Sequence, residues 1–372
     1  MRLITLRECQ PGAKLARTIY ADNGAVLLAQ GAVITEAMLE RLVRLHIELI
    51  YIEDEWTDKL NVDEIVSEET RIKTLAFIER TFRQVAEEPQ QWQTLFSEDE
   101  LGAKLQQVMN EIIGELSQNQ AALNLFGTSC AVDHYLFSHS FHVTLYTIAV
   151  AWKMGLRDQE LVKIGMGAML HDVGKMMIPA SIAQKPGSLT EEEYQIMKQH
   201  AKLGYELMKN GDSMMQFAAQ CALMHHERLD GSGYPHQKKG DEIHSYVRIL
   251  TVCDVFDALS SHRVYRQALL PHVAMELLYA GVDKHFDHKV VEAFRNTIAL
   301  YPLGLSVTLD TGESGVVTGY NQGLPSRPII RLLHDAEKRV LDHPMEVDLS
   351  KQLHLMIAES HPIATVIASP SF

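Results

Sequence analysis

The chain has 372 residues, of which 46% are hydrophobic and 22% charged. These values are ordinary for a soluble globular protein of two or three domains. The formal net charge of −14 argues against a nucleic acid polymer as partner, although a small phosphorylated ligand fits if positive charge is local. No apolar run approaches the roughly 20 residues of a membrane span, and the first residues favour a strand over a signal sequence. We therefore expect a cytoplasmic protein with no membrane span.

The four cysteines lie far apart and form no CxxC pair. Neither a disulfide framework nor a thiolate zinc site is therefore indicated. We expect them to be small buried hydrophobic residues. They are Cys9, Cys130, Cys221 and Cys253.

Residues 1–61 predict a small β-rich module. Asn23-Gly24 lies between two apolar runs, which is a strong hairpin signal. Thr35 is a candidate N-cap for a helix, and residues 47–52 predict a closing strand. The segment contains no catalytic constellation, so its expected role is regulation or assembly.

Residues 62–123 predict a helical connector. Apolar residues recur near helical spacing, and Glu87-Glu88-Pro89 interrupts the pattern. A solvated connector and a dimerising pair of helices both explain this periodicity. The sequence therefore leaves open whether these helices join two chains in a homodimer or only connect two parts of one chain.

Residues 124–302 form a core that is predicted to be nearly all helix. Gly155-Leu156 predicts a Schellman end for one helix, and Thr190 with Glu193 predicts a capping box that starts another. Pro271 is a predicted helix start and Gly281 a helix end.

The pattern changes to period two after Pro302. Residues 303–372 therefore predict a small antiparallel β module. The expected fold class is mainly α, with a helical bundle core flanked by small N-terminal and C-terminal β-rich modules.

Histidines and aspartates recur inside or at the end of apolar helical stretches of the core. Each gap between them fits one helix and a connection. Helical bundles build dinuclear metal centres from such inward-pointing side chains. The candidate metal ligands are His139, His171, Asp172, His200, His225, His226 and Asp254.

Imidazole and carboxylate without thiolate favour manganese, iron or zinc over calcium, and the family resemblance described below implies iron or manganese. Two ions lower the pKa of a shared water and clamp the oxygens of a phosphoryl group, so hydrolysis of a phosphate ester is predicted. Lys175 lies one helical turn from His171 and can neutralise a phosphate oxygen. Asp254 and Asp257 share a helix face, which gives one ligand and one candidate base or supporting carboxylate.

Further candidates contact the substrate. Arg263 and Arg266 are candidate phosphate clamps, and Gly233 lies in a glycine-rich loop where backbone can approach a ligand. Structural interpretations stay open: Lys175 could complement a helix end, the two arginines could pair with surface acids, and Asp257 could cap a helix.

Four motifs together resemble the HD-GYP family of bacterial phosphodiesterases. They are His171-Asp172, residues 185–190, the string His225 to Pro235, and residues 254–266. The match covers about residues 124–302, roughly half of the chain. The first 60 residues are similar to N-terminal modules of some HD-GYP proteins of Gram-positive bacteria.

The resemblance implies hydrolysis of cyclic di-GMP by a hydroxide that bridges two metal ions, with pGpG or GMP as the end product. It places the ligands on the seven residues named above, the catalytic lysine on Lys175, and substrate contacts on Tyr234, Arg263 and Arg266. Some members hold a third metal through a glutamate where this chain has Tyr135. We therefore expect two divalent ions.

Two alternatives stay open. One is an HD-class hydrolase of another phosphate substrate, such as a mixed cyclic dinucleotide or (p)ppGpp. The other is a catalytically silent module that senses the nucleotide and signals through the β modules. A turnover assay with several substrates separates the three hypotheses.

Overall fold

The computed structural model describes residues 1–21, 25–45, 47, 49–54, 57, 65–87, 99–118, 135–185, 187–261, 268–321 and 323–361. About half of these residues are helical, and two small β regions lie near the ends of the chain. The predicted fold class, a helical core flanked by β-rich modules, is confirmed.

The described residues of the N-terminal region form four short strands and one helix. β1 (Arg2–Thr5) pairs antiparallel with β4 (Leu49–Ile52), and β2 (Ile19–Tyr20) pairs with β3 (Val26–Leu28). The helix α1 (Glu36–Arg44) begins after Thr35, whose side chain accepts a hydrogen bond from the Met38 backbone N–H, as predicted. The predicted Asn-Gly turn lies outside the described residues.

The central part of the chain is helical. None of its described helices is long and apolar enough to cross a membrane. The helices are α2 (Glu68–Glu87), α3 (Asp99–Gln118), α4 (Tyr135–Lys153), α5 (Asp158–Leu170), α6 (Ala180–Ala183), α7 (Glu191–Met197), α8 (Gln199–Met208), α9 (Ser213–Met224), α10 (Ser245–Ser260), α11 (Pro271–Ala280) and α12 (His288–Arg295).

The predicted helix ends are confirmed. At the end of α4, Gly155 has a φ of 101°, and the Leu156 backbone N–H donates to the Ala151 carbonyl oxygen over 3.0 Å, which is the Schellman pattern. At the start of α7, Thr190 and Glu193 form the reciprocal capping box. Stable helix ends fix where each helix presents its polar residues.

One apolar core joins the bundle helices to α2 and α3. Leu75 and Phe82 of α2 and Met109 and Ile112 of α3 are each at most 1% exposed and belong to the same cluster as the helices from α4 onward. The apolar periodicity of this segment is therefore used for packing inside the chain. The predicted division at residues 61, 123 and 302 stays a prediction.

The C-terminal region is an antiparallel sheet with the strand order β8-β7-β6-β5-β9. The sheet agrees with the antiparallel β module that the period-two pattern predicts after Pro302. The strands are β5 (Ser306–Leu309), β6 (Ser314–Gly319), β7 (Ile329–His334), β8 (Val340–Asp348) and β9 (Ile357–His361).

The two β regions, predicted as separate modules, share one apolar core. Leu3 and Tyr51 from the N-terminal region lie in one buried cluster with Leu305 from the C-terminal sheet. The Leu3 backbone N–H donates to the Gly304 carbonyl oxygen over 2.9 Å. Leu270, at the start of α11, is also buried in this cluster. We call this cluster the shared β core.

Candidate metal centre

The His171-Asp172 pair lies where α5 ends and the chain turns sharply. His171 follows the last residue of α5, and residues Val173–Met177 form a single 3-10 turn. A Cβ atom at Gly174 would collide with the His200 carbonyl oxygen on α8. The absence of a side chain therefore lets this turn press against α8, which brings Asp172 close to the imidazole of His200.

Three imidazoles are oriented in the same way. The Nδ1–H groups of His171, His200 and His225 donate to the carbonyl oxygens of the residues three positions earlier, over 2.7, 2.7 and 2.8 Å. A carbonyl oxygen can only accept, so Nδ1 carries the proton in each ring. Each Nε2 atom therefore presents a lone pair to the interior, as a metal ligand must.

The seven predicted ligands converge in two groups of atoms. Within each group, all ligand atoms lie within 4.8 Å of one another. The first donor group is Asp172, His200, His225 and His226, and the second is His139, His171 and Asp254.

Asp172 lies between the two donor groups. Its Oδ1 atom is 3.4 Å from His200 Nε2, in the first donor group. Its Oδ2 atom is 3.3 Å from His171 Nε2 and 3.5 Å from His139 Nε2, in the second. A carboxylate with one oxygen toward each group has the arrangement of a bridging ligand.

The protonation states of the first donor group suit cation binding. Burial, with help from nearby Lys175 and His225, lowers the pKa of His200 to about 3, and burial also holds the pKa of His226 well below its ordinary value. Burial alone would raise the pKa of Asp172, but Lys175 and His171 outweigh it and hold that pKa well below its usual range. Neutral imidazoles and an ionised carboxylate are the forms that bind metals.

The imidazole of His139 has a carboxylate at each of its two nitrogens. Its Nδ1 atom is 2.7 Å from Asp257 Oδ2, while its Nε2 atom is 3.1 Å from Asp254 Oδ1. Burial opposes the charged imidazole, but these two carboxylates raise the pKa of His139 to about 9. The other Asp257 oxygen lies 3.3 Å from His142 Nδ1.

The position of Asp257 favours one of the roles that the sequence left open for it. Its carboxylate faces the far side of His139 and belongs to neither donor group. We therefore interpret Asp257 as the carboxylate that orients His139, and not as a catalytic base. Carboxylate–histidine pairs of this kind fix the ring and raise its basicity toward a metal.

The donor set fits a divalent metal ion. His171 Nε2 and Asp172 Oδ1 are buried and have no hydrogen-bond partner within the part of the chain that the structure describes. Leaving buried polar atoms unsatisfied costs free energy, and a cation between the rings would satisfy both. The chain therefore contains a buried His/Asp cluster suited to divalent metal binding.

Lys175 lies beside the bridging carboxylate. Its ammonium is 2.5 Å from Asp172 Oδ2, and its side chain is 24% exposed. His226 and Tyr234 are also partly exposed, whereas His171 and His225 are fully buried. The cluster therefore opens to solvent on the side of Lys175, His226 and Tyr234.

The glycine-rich loop folds back on the His225-His226 turn. A Cβ atom at Gly233 would collide with the His226 carbonyl oxygen, and Gly233 is buried. Gly233 therefore packs closely against the chain's own backbone, and its contact with a ligand stays a prediction. The ring of Tyr234 stacks on His226, with centroids 4.6 Å apart and planes 24° apart.

Glu227 holds this loop in place. It is 1% exposed and accepts hydrogen bonds from the backbone N–H groups of His236 and Lys238, over 2.7 and 3.0 Å. Its burial and its two backbone partners make it a carboxylate that supports the loop. Its signal in the sequence is its place directly between the histidine pair and the glycine-rich loop.

Two predicted substrate contacts are not in the described part of the chain. Helix α10, which carries Asp254, ends at Ser260. Arg263 and Arg266 lie outside the described residues, so their roles stay predictions.

Comparison with known proteins agrees with this geometry. The HD domain family matches residues 97–290, just over half of the chain, and a family described as a KOW domain associated with HD domain matches residues 306–368. The chain therefore belongs to the HD domain family, within which its His-Asp and Gly-Tyr-Pro motifs place it in the HD-GYP group.

Three relatives illustrate the group. Cyclic di-GMP phosphodiesterase PA4108 of Pseudomonas aeruginosa is 32% identical over 219 residues, which is 59% of this chain and 53% of the relative. The cyclic di-GMP phosphodiesterase response regulator RpfG of Xanthomonas campestris pv. campestris is 46% identical over 145 residues, with coverage of 39% and 38%. The 3'3'-cGAMP-specific phosphodiesterase 2 of Vibrio cholerae is 40% identical over 156 residues, with coverage of 42% and 30%. The chain spans about half or less of the length of these relatives.

Proposed function

We propose that the chain is a metal-dependent phosphodiesterase that hydrolyses cyclic di-GMP. The observation that carries the proposal is the position of Asp172, with one oxygen toward each donor group. Phosphodiester hydrolysis needs charge neutralisation on both sides of the reacting phosphorus, and two adjacent donor groups can supply it. The names of PA4108 and RpfG support the choice of substrate.

Two divalent ions, iron or manganese with zinc as the alternative, would be held by the two donor groups with Asp172 shared between them. When bound, such a pair supplies Lewis-acid stabilisation for an in-line displacement at phosphorus. The protein's part is to hold the ligands in fixed tautomers through the backbone carbonyls described above. Asp257 adds a fixed orientation for His139.

Lys175 has a distinct role in this proposal. Its ammonium contacts Asp172 and is partly exposed on the open side of the cluster, where a phosphate would enter. A cation at this point stabilises the negative charge that develops on a non-bridging phosphate oxygen. Arg263 and Arg266 are proposed to bind phosphate oxygens through their planar guanidinium groups.

The test is turnover by purified protein reconstituted without oxygen with Fe²⁺, Mn²⁺ or Zn²⁺. Cyclic di-GMP, 3'3'-cGAMP and (p)ppGpp are each supplied, and pGpG, GMP and the other products are separated by chromatography. We expect the highest kcat/KM for cyclic di-GMP, and the assay also decides between pGpG and GMP as end product. Binding without hydrolysis under every metal would contradict the proposal and favour the silent sensor.

A second candidate substrate is 3'3'-cGAMP. The observation that favours it is the 40% identity to a relative named as specific for that compound. The two candidates differ in one nucleobase, so the ratio of their kcat/KM values decides between them. A cytoplasmic location and a homodimer are further proposals, and size measurement in solution tests the second.

A further inference from the structure

The open side of the cluster has a wall of two aromatic rings and one lysine, of which the sequence analysis indicated only Tyr234. Tyr234 stacks on His226 of the first donor group. The ring of Tyr194 on α7 meets Tyr234 edge to face, with centroids 6.5 Å apart and planes 83° apart. Lys198, directly after α7, places its ammonium 4.9 Å from the Tyr194 ring centroid and 5.8 Å from that of Tyr234.

Tyr194 and Lys198 are available for a ligand. Tyr194 is 42% exposed, so a ligand can reach its ring. Lys198 forms no ion pair with any carboxylate in the described ranges of the chain, whereas nearby Lys185 is held 2.5 Å from Glu193. The two residues are four positions apart and so share one helical face.

A cyclic dinucleotide is larger than the metal cluster. It carries two phosphodiester groups and two nucleobases, and the two donor groups together take one reacting phosphodiester. The other phosphate and at least one base therefore lie outside the donor groups, where the walls of the opening can contact them. Aromatic rings stack on bases of any identity, and a lysine ammonium binds phosphate as a point charge.

We propose that Tyr194 and Lys198 form a substrate subsite beside the metal centre. Tyr194 stacks on a nucleobase, and Lys198 pairs with the phosphate that is not being hydrolysed. This inference rests on the proposed function, because it assigns the part of a cyclic dinucleotide that the donor groups do not hold. Both residues act in binding and take no part in the chemical step.

The test compares four variants in steady-state kinetics with cyclic di-GMP. Tyr194→Ala should raise KM roughly tenfold and leave kcat and metal content near the wild-type values. Tyr194→Phe, which keeps the ring, should restore KM. Lys198→Ala should also raise KM and weaken its dependence on salt. Ile196→Ala is the matched control, because Ile196 is 41% exposed on the same helix but faces another side.

A second substrate separates binding at the subsite from a general structural effect. Bis(p-nitrophenyl) phosphate has a phosphodiester but no nucleobase or second phosphate. Because it offers no second phosphate, its KM and kcat should be the same in the wild type and in Lys198→Ala; its nitrophenyl rings can stack on Tyr194, so Tyr194→Ala is compared with Tyr194→Phe and Ile196→Ala on cyclic di-GMP. An equal rise of KM for both substrates in Lys198→Ala would overturn the subsite, as would unchanged KM values for cyclic di-GMP in Tyr194→Ala and Lys198→Ala.

The subsite can be tested even if the proposed activity is absent. If the wild type does not hydrolyse cyclic di-GMP, the dissociation constants of cyclic di-GMP and 3'3'-cGAMP are measured by calorimetry for the same variants. A rise in the dissociation constant for Tyr194→Ala that Tyr194→Phe reverses would support the subsite without the activity. No binding by the wild type, or equal constants for all variants, would overturn it.

Discussion

The metal centre and the shared β core bury opposite kinds of side chain. The metal centre brings together seven imidazoles and carboxylates, six of them buried, and His171 Nε2 and Asp172 Oδ1 have no hydrogen-bond partner among the described residues. The shared β core buries apolar side chains such as Leu3, Tyr51 and Leu305. Burying unsatisfied polar atoms costs free energy, whereas burying apolar surface stabilises a fold. The comparison indicates that the first region serves function and the second serves stability.

The largest expected effect is on activity at the metal centre. Asp172→Asn keeps the shape of the side chain but removes the charge that faces both donor groups. Metal content should fall, and kcat/KM should fall by more than about a hundredfold, the upper end of losses seen when an outer partner of a metal ligand is removed. Elemental analysis and turnover measure the two effects. Full activity with normal metal content would show that the Asp172 charge is not needed at the metal centre.

The second prediction concerns the shared β core. Leu305 is fully buried there, so Leu305→Ala should lower the free energy of unfolding by about 2–5 kcal/mol. Well below the melting temperature, kcat should stay unchanged because the metal centre lies in the other core. Leu353→Ala is the control, since Leu353 is 72% exposed and its loss should change stability by no more than about 0.5 kcal/mol. A large loss of kcat in folded Leu305→Ala would show that the two regions are coupled.

The third prediction tests whether Asp257 orients His139 for metal binding. Asp257→Asn should weaken metal affinity by about 10–100-fold, because the partner that orients His139 loses its charge. Metal titration measures this, with Asp342→Asn on the exposed strand β8 as the control. If kcat collapsed while metal affinity stayed normal, Asp257 would be the catalytic base after all.

The smallest expected effect is a pH dependence of stability near the shared β core. The ring of His272 stacks on Tyr301 with centroids 5.0 Å apart, and burial lowers its pKa from 6.5 to about 4. The unfolded chain therefore binds a proton at higher pH than the folded chain does. The stability that neutral His272 contributes is complete above pH 6.5 and is lost as the pH falls toward 4.

Partial exposure limits this loss to about 1–2 kcal/mol. His272→Phe keeps the stacking but removes the titration, so wild type and variant should diverge between pH 6.5 and 4 in denaturant unfolding. Parallel pH profiles for the two proteins would contradict the account.

Local sequence signals predicted most of the helical core and its polar residues. A capping box such as Thr190 with Glu193 needs no information from distant residues. The seven predicted ligands could be identified because each interrupts an apolar helical run, and buried polar side chains need a reason. The convergence of these ligands depends on how the helices pack against one another. The spacing of the ligands is compatible with that packing, and the structure shows it.

Contacts between residues that are far apart in sequence could not be predicted from such local signals. Leu3 and Leu305 are far apart in sequence, and a period-two pattern shows that a strand is half buried but not against what. The position of Asp257 behind His139 depends on the rotation of α10 against α4, which the spacing of Asp254 and Asp257 leaves open. The same holds for Tyr194, whose sequence context is that of an ordinary exposed helix.

The most direct test of the central claim is the metal stoichiometry of the purified chain, measured by elemental analysis after anaerobic reconstitution and removal of excess metal. The account predicts two divalent ions per chain in the wild type, one for each donor group, and a loss of metal in Asp172→Asn. A wild-type chain that retains no divalent metal, or an Asp172→Asn chain that retains the full complement, would contradict it.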